Sequence, residues 1–207
     1  MTNLTLARPA PARAGLALIV APVLLLAAWV ILWPLDGRDG PGLGWTAAHL
    51  SWIVAFALLA YGCVHVRRHL RADTTGRHAV VDVATAVTMV GLVTGTAQMV
   101  VDLIAGFGSS TRAGIDSLSD RMTDAPGVDL LLYDVGPLLF FVGMLALLVV
   151  AAVRREVGPA SPVLFLTGFV LIGIDDALSP VGLAAIWLGL LPLALGLIRA
   201  VRPPAAA

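Results

Sequence analysis

Six long runs of apolar residues occupy most of this 207-residue chain. A helix that crosses a bilayer needs about 20 mostly apolar residues, because each residue rises about 1.5 Å and the hydrocarbon core is about 30 Å thick. We place the spans near residues 14–34, 44–66, 80–105, 130–153, 161–178 and 181–201. The sequence therefore predicts an all-α fold, a polytopic transmembrane helical bundle. The fifth span is the shortest, and it could instead form a re-entrant pair with the sixth.

The composition agrees with lipid as the surrounding solvent. Hydrophobic residues make up 59% of the chain and charged residues only 13%, whereas a soluble domain is about 25% charged. The net charge is zero and no nucleic-acid-binding signature is present. We therefore expect membrane lipids as partners, a homo- or hetero-oligomer within the membrane as a further possibility, and no nucleic acid. Cys63 is the single cysteine, so an internal disulfide is excluded.

Arginine placement predicts the orientation. All 13 basic residues are arginine, which is typical of a GC-rich bacterial genome. Three fall in predicted outer segments (Arg38, Arg112 and Arg121) and ten in inner ones: Arg8, Arg13, Arg67, Arg68, Arg71, Arg77, Arg154, Arg155, Arg199 and Arg202. Cytoplasmic loops carry an excess of Lys and Arg. This pattern predicts a bacterial inner (plasma) membrane protein with both termini cytoplasmic, in which residues 1–13 and 202–207 are tails and residues 14–201 form one transmembrane domain.

Polar residues from four predicted spans fall at a common depth. At about 1.5 Å per helical residue, one residue from each span lies roughly 6–9 Å below the outer face: His49, Gln98, Asp134 and Asp175. Asp102 marks that face on the third span. Buried polar groups are costly in a bilayer, so they are natural functional candidates. The candidate catalytic residues are His49, Asp134 and Asp175, and the remainder of this predicted polar layer consists of Gln98, Asp102, Tyr133 and Asp176.

Histidine beside carboxylates suggests three kinds of chemistry. The pair can exchange protons near neutrality, act as general acid and base on an amphiphilic substrate, or bind a hard or borderline cation. The alternative is that these side chains simply meet water at the outer interface. Pro137 also frees the carbonyl of Tyr133 from its helical bond, and the spacing of Gly91 and Gly95 predicts close helix packing that turns Gln98 and Asp102 inward.

A second constellation lies on the inner side. His65 and His69 end the second predicted span, and His78 and Asp82 begin the third. Each pair has the i, i+4 spacing of metal-binding helices. Four arginines lie among these residues and would repel a divalent cation. We therefore expect no cofactor, with a divalent metal as the alternative.

The longest predicted loop, residues 106–129, contains an amphipathic pattern. Apolar Ile115, Leu118 and Met122 share one helical face, while Asp116, Asp120 and Asp124 share another. This pattern predicts a helix on the outer surface. The acidic face is either solvated or forms a lid or a cation-collecting vestibule.

No complete catalytic motif is present, so three classes of function stay open. The first is an accessory, regulatory or scaffold membrane protein with a shallow outer-leaflet polar site. The second is an enzyme that acts on a lipid or isoprenoid-like substrate, with His49 as base and Asp134 or Asp175 as acid or orienting group. The third is a small proton- or cation-coupled transporter.

Overall fold

The computed structural model describes residues 10–32, 42–71 and 78–200, and every regular element in these ranges is helical. A π-helical segment, Leu130–Val135, precedes α5, and a 3-10 turn, Asp176–Leu178, separates α6 from α7. The α-helices are α1 (Ala10–Leu32), α2 (Leu43–Arg71), α3 (His78–Gly108), α4 (Arg112–Thr123), α5 (Gly136–Val153), α6 (Ala160–Ile174) and α7 (Ser179–Arg199). The predicted tails lie mostly outside the described residues, and residues 10–13 belong to α1.

Five helical segments are long and apolar enough to cross a membrane: Pro11–Leu32, Leu43–Arg71, His78–Gly108, Leu130–Val153 and Asp176–Arg199. The prediction of six spans is confirmed only in part, because α6 has 15 residues. At about 1.5 Å per residue it is roughly 22 Å long, shorter than the hydrocarbon core of about 30 Å. The protein is thus an all-helical, membrane-embedded chain with five candidate spans and one shorter apolar helix.

The six longer helices form a closed ring. Each packs against the next in the order α1, α2, α3, α5, α6, α7, and α7 packs back against α1. Few contacts cross the ring, between α2 and α5 and between α5 and α7. Helix α4 lies outside the ring and packs on α3.

Glycines bring neighbouring helices into backbone contact. A Cβ on Gly91 of α3 would overlap the backbone of Phe140 in α5, and one on Gly143 of α5 would overlap the backbone of Thr88 in α3. In the α6–α7 pair, Gly168 and Gly182 each lie against the carbonyl of the other. Small residues permit such close approach in a membrane, where dispersion contacts rather than water exclusion hold helices together. These contacts fix the width of the ring.

The two ends of the ring differ in character. We call the end where α2, α5 and α7 begin the α4 end, because α4 covers part of it. We call the opposite end the arginine end, because most of the described arginines lie there: Arg13, Arg67, Arg68, Arg71, Arg154, Arg155 and Arg199. Asp82 contacts two of them, with its Oδ1 2.7 Å from Nε of Arg67 and its Oδ2 3.1 Å from Nη1 of Arg71.

Candidate functional site

Two adjoining cavities lie at the α4 end. The polar chamber, about 520 Å³, lies between α2, α3, α4 and the π-helical segment; it is lined by Leu32, Trp45, His49, Trp52, Gln98, Met99, Asp102, Arg112, Ile115, Asp116, Ser119, Asp120, Thr123, Asp129 and Tyr133. The apolar chamber, about 340 Å³, is lined by Leu25, Trp29, Trp52, Phe56, Gly91, Leu92, Gly95, Gln98, Met99, Pro137, Phe140, Phe141, Ile172, Ser179 and Leu183. Trp52, Gln98 and Met99 line both.

His49 is the most deeply buried ionisable group of the polar chamber. Its side chain is 3% exposed, and its Nδ1 lies 2.8 Å from the carbonyl oxygen of Trp45, one helical turn earlier. That contact makes Nδ1 the donor, so Nε2 faces α3. Nε2 lies 3.7 Å from Oδ2 of Asp102, which is longer than a hydrogen bond. The two Trp rings at positions 45 and 52 flank the imidazole, with centroids 4.2 and 5.2 Å away.

Asp102 joins three elements around the chamber. Its Oδ1 accepts a hydrogen bond of 2.7 Å from the hydroxyl of Tyr133, and its main-chain carbonyl accepts one of 3.3 Å from the indole of Trp45. Gly106, one turn later on α3, permits the second contact, because a Cβ there would overlap that indole. The carboxylate is therefore held by the π-helical segment, and the main-chain carbonyl of the same residue is held by α2.

The π-helical segment turns neighbouring side chains to different environments. Tyr133 is half-buried and points to Asp102, whereas Asp134 is exposed. The main-chain N–H of Gly136 bonds to the carbonyl of Leu131, five residues earlier. Pro137, which has no N–H and disfavours the preceding helical turn, directly follows. Departures of this kind occur often at functional sites.

Helix α4 covers one side of the polar chamber. The hydroxyl of Thr111 caps its first turn by accepting from the N–H of Gly114 at 3.2 Å. Ile115 is 2% exposed and packs with Trp45 and Ala105. The guanidinium of Arg112 lies 5.3 Å from the ring centroid of Trp45. The predicted amphipathic segment is thus helical: Ile115 and Leu118 pack on the bundle, Met122 is exposed, and Asp116 and Asp120 line the chamber.

The apolar chamber draws residues from all six helices of the ring. Its walls are mainly aromatic and aliphatic, with the carboxamide of Gln98 at the junction with the polar chamber. That carboxamide makes no hydrogen bond to any described residue. An unused donor and acceptor therefore lie where the two chambers adjoin.

The structure brings together some of the predicted polar-layer residues and not others. His49, Gln98, Asp102 and Tyr133 all line the polar chamber. Asp134 and Asp175 are exposed and line neither chamber, and Asp176 is likewise exposed. The carboxylate of Asp175 instead accepts the N–H of Ala177 at 2.8 Å and so caps the 3-10 turn.

Three of the four alternative metal ligands have partners of their own. His65 contacts the carbonyl of Tyr61 through Nδ1 at 2.9 Å, and His69 pairs with Glu156 at 2.8 Å. Asp82 is held by arginines, and His78 lies at the start of α3. Within the described ranges, no group of three or more His, Cys, Asp or Glu side chains is placed to hold a metal.

Sequence reasoning did not assign several chamber residues to the site. Trp45, Trp52 and Asp129 were not among the residues predicted for the polar layer. The spacing of both tryptophans from His49 could have indicated that they lie beside it, because residues three and four apart share a helix face. Asp116 and Asp120 were predicted on the acidic face of the outer helix, and both line the chamber.

The site offers a polar compartment joined to an apolar one within a membrane-embedded ring of helices. Cavities of this size, mostly apolar and with a few convergent polar groups, are typical of small-molecule sites. Comparison of the chain with protein-family models, curated proteins and solved structures found no match. Fold and cavity therefore define its class as a helical membrane protein with a two-chamber cavity, and function is argued from the site alone.

Proposed function

We propose that this protein binds an amphiphilic molecule in the two chambers and acts as an accessory or regulatory membrane protein. The observation that carries the proposal is the adjacency of the chambers, which share Trp52, Gln98 and Met99. A polar head would contact the side of His49 and Asp102, while an aliphatic chain would lie among Leu92, Phe140 and Leu183. Matching each part of a ligand to a compartment of its own polarity favours binding, because neither part is desolvated without compensation.

The proposal includes an orientation. We place the arginine end in the cytoplasm of a bacterial cell membrane, with both termini on that side, and α6 as a sixth crossing. The close contact of α6 with α7 at Gly168 and Gly182 supports this assignment, since a partner helix can shield the ends of a short span. The chambers then open toward the outer leaflet.

A substitution that narrows the apolar chamber tests the proposal. Leu183→Trp on α7 adds bulk at a lining position, and the matched control is Leu188→Trp on the same helix, where the leucine is 46% exposed. Native mass spectrometry of each protein purified from its membrane measures retained amphiphiles. We expect a bound species in the wild type and in L188W that is lost in L183W. Equal retention by all three, or no bound species in any, would contradict the proposal.

A second candidate is an enzyme that acts on the head of the bound amphiphile, with His49 as the base. The proximity of His49 Nε2 to Asp102, itself bonded to Tyr133, favours it, because the carboxylate would stabilise the imidazolium formed when His49 takes a proton. Asp102 would then replace Asp134 or Asp175 as the carboxylate partner of His49. Chemical conversion of the co-purifying amphiphile by the wild type, but not by H49A, would favour this candidate.

The transporter hypothesis has less support. It needs polar groups that continue through the middle of the ring, where the sequence offers threonines. The hydroxyls of Thr85 and Thr88 donate to carbonyls of their own helix at 2.7 and 2.8 Å. Both hydroxyls are thus already bonded to the backbone of α3.

A further inference from the structure

We infer that the head of the ligand is cationic and donates hydrogen bonds, as a primary ammonium group on a long apolar chain does. This inference rests on the proposed function and adds the chemical class of the ligand. Three observations carry it: the facing acceptors of His49 and Asp102, the charges that line the polar chamber, and its aromatic wall.

The first observation is the gap between His49 and Asp102. The imidazole side chain is 97% buried, judged from its 3% exposure, and Nδ1 is bonded to the Trp45 carbonyl. Nε2 therefore faces Oδ2 of Asp102, 3.7 Å away, and in the neutral form of the ring this nitrogen carries a lone pair. Two acceptors that face each other call for a donor between them. A nitrogen about 2.8 Å from each atom fits that separation.

The second observation is the charge of the lining. Carboxylates of Asp102, Asp116, Asp120 and Asp129 line the polar chamber, against one guanidinium among its described lining residues, that of Arg112. Nε of Arg112 is 3.1 Å from Asp116, so part of its charge is already compensated. A cleft lined mainly by one sign of charge raises the local concentration of the opposite ion. An anionic head, such as a phosphate, would meet net repulsion here.

The third observation is the wall formed by Trp45, Trp52 and Tyr133. Aromatic faces attract cations through the ring quadrupole, and Trp is the strongest of them. The guanidinium over Trp45 shows that this ring already accepts a cation on its face. Trp52 also lines the apolar chamber, so one molecule can contact both compartments.

Four ten-carbon amphiphiles separate charge from hydrogen bonding: decylammonium, decyltrimethylammonium, decanol and decanoate. Thermal stability of the protein in phosphatidylcholine nanodiscs, titrated with each, gives relative affinities. We expect decylammonium to bind most tightly and decyltrimethylammonium next. Decanoate should bind most weakly of the four. Decanol lacks the charge and reports the contribution of the chain and of one hydroxyl donor.

Asp→Asn variants, which each remove one negative charge, test which carboxylates cause the preference for a cationic head. D102N removes a charge but keeps an acceptor for Tyr133, and D120N removes a charge on exposed α4. Each variant should weaken decylammonium binding, D102N by about tenfold or more. The affinity for decanol should be unchanged in both. The matched control is D124N, which removes a carboxylate directly after α4 but outside the chamber lining. Equal loss in D124N would show a diffuse surface effect and overturn the inference.

The outcomes also separate this inference from the proposed function. If all four amphiphiles bind alike and D102N changes none of them, the charge assignment is wrong. The proposed function then stands as long as L183W weakens all four. If no amphiphile binds the wild type, or L183W weakens none, the proposed function fails and this inference fails with it.

Discussion

The hydroxyl of Tyr133 donates a 2.7 Å hydrogen bond to Oδ1 of Asp102 and thereby ties the π-helical segment to α3. The side chain of Asp102 is 15% exposed, and Tyr133 is half-buried. A hydrogen bond to a charged acceptor in such a setting contributes more than a neutral surface bond. The wall of the polar chamber therefore depends on this pair.

Removal of that hydroxyl should loosen the site. We expect Tyr133→Phe to lower the free energy of unfolding by about 1.5–3 kcal/mol, the range for bonds to charged groups. Thermal unfolding in nanodiscs measures the change. Equal stability of Y133F and the wild type would contradict a structural role for the bond.

Trp45 should move when Gly106 acquires a side chain. A Cβ on Gly106→Ala overlaps the indole, so the ring must shift and its bond to the Asp102 carbonyl is lost. We expect a cost of about 1–3 kcal/mol, as for overpacking, and a change in tryptophan emission. Gly196→Ala, where a Cβ meets no atom within 4 Å, is the control. Unaltered emission in G106A would show that the indole does not rest on this glycine.

Backbone contact between α3 and α5 should be intolerant of a methyl group. Gly91→Ala places a Cβ against the main chain of Phe140, which cannot rotate away as a side chain can. We expect a loss of at least about 1–3 kcal/mol in the free energy of unfolding. Gly173→Ala on α6 meets no atom within 4 Å, and should be neutral or stabilising, because alanine favours helix by about 1 kcal/mol. Similar melting temperatures for G91A and G173A would argue against the close packing.

Cysteine labelling tests whether α6 crosses the membrane. Gly158 lies in the turn before α6, and Ala177 lies in the exposed 3-10 turn after it. With native Cys63 fully buried, the wild type is the unlabelled reference. An impermeant maleimide added to intact cells should label Ala177→Cys, and should label Gly158→Cys only after permeabilisation. Labelling of both from the same side would make α6 re-entrant.

The orientation of the whole bundle has a separate test. Ser110 is exposed in the connection between α3 and α4, at the α4 end. We expect Ser110→Cys to react with the impermeant reagent in intact cells, because the arginine end is assigned to the cytoplasm. Protection of Ser110→Cys until the cells are permeabilised would reverse the assignment.

Apolar run length and helical rise predicted much of this architecture from sequence. The boundaries of the long helices agree with the predicted spans to within a few residues at most ends. Depth arithmetic also placed His49 and Gln98 at one level, about 6–7 Å below the outer face marked by Asp102, and the three residues line one chamber. Such arithmetic holds because α2 and α3 are regular helices through these positions.

The same arithmetic gave Asp134 and Asp175 a similar depth, but in the structure neither residue lines the chamber. Asp175 has φ −157° and ψ 136°, so the helix has already ended and the rise per residue no longer applies. Asp134 lies in the π-helical segment, next to inward-facing Tyr133. Successive residues on a helix point about 100° apart, and the sequence does not give the phase of that turn.

Close backbone contacts at Gly91 and Gly143 hold α3 and α5 together as one rigid pair. Because their main chains touch at two levels, neither helix can slide along the other without parting from it. At the arginine end of this pair, just after α5, Arg154 donates to the carbonyl of Leu70 in α2, and Glu156 pairs with His69. A shift of α3 at Asp102 would therefore be carried to α5 and, through Arg154 and Glu156, to the end of α2 at the arginine end.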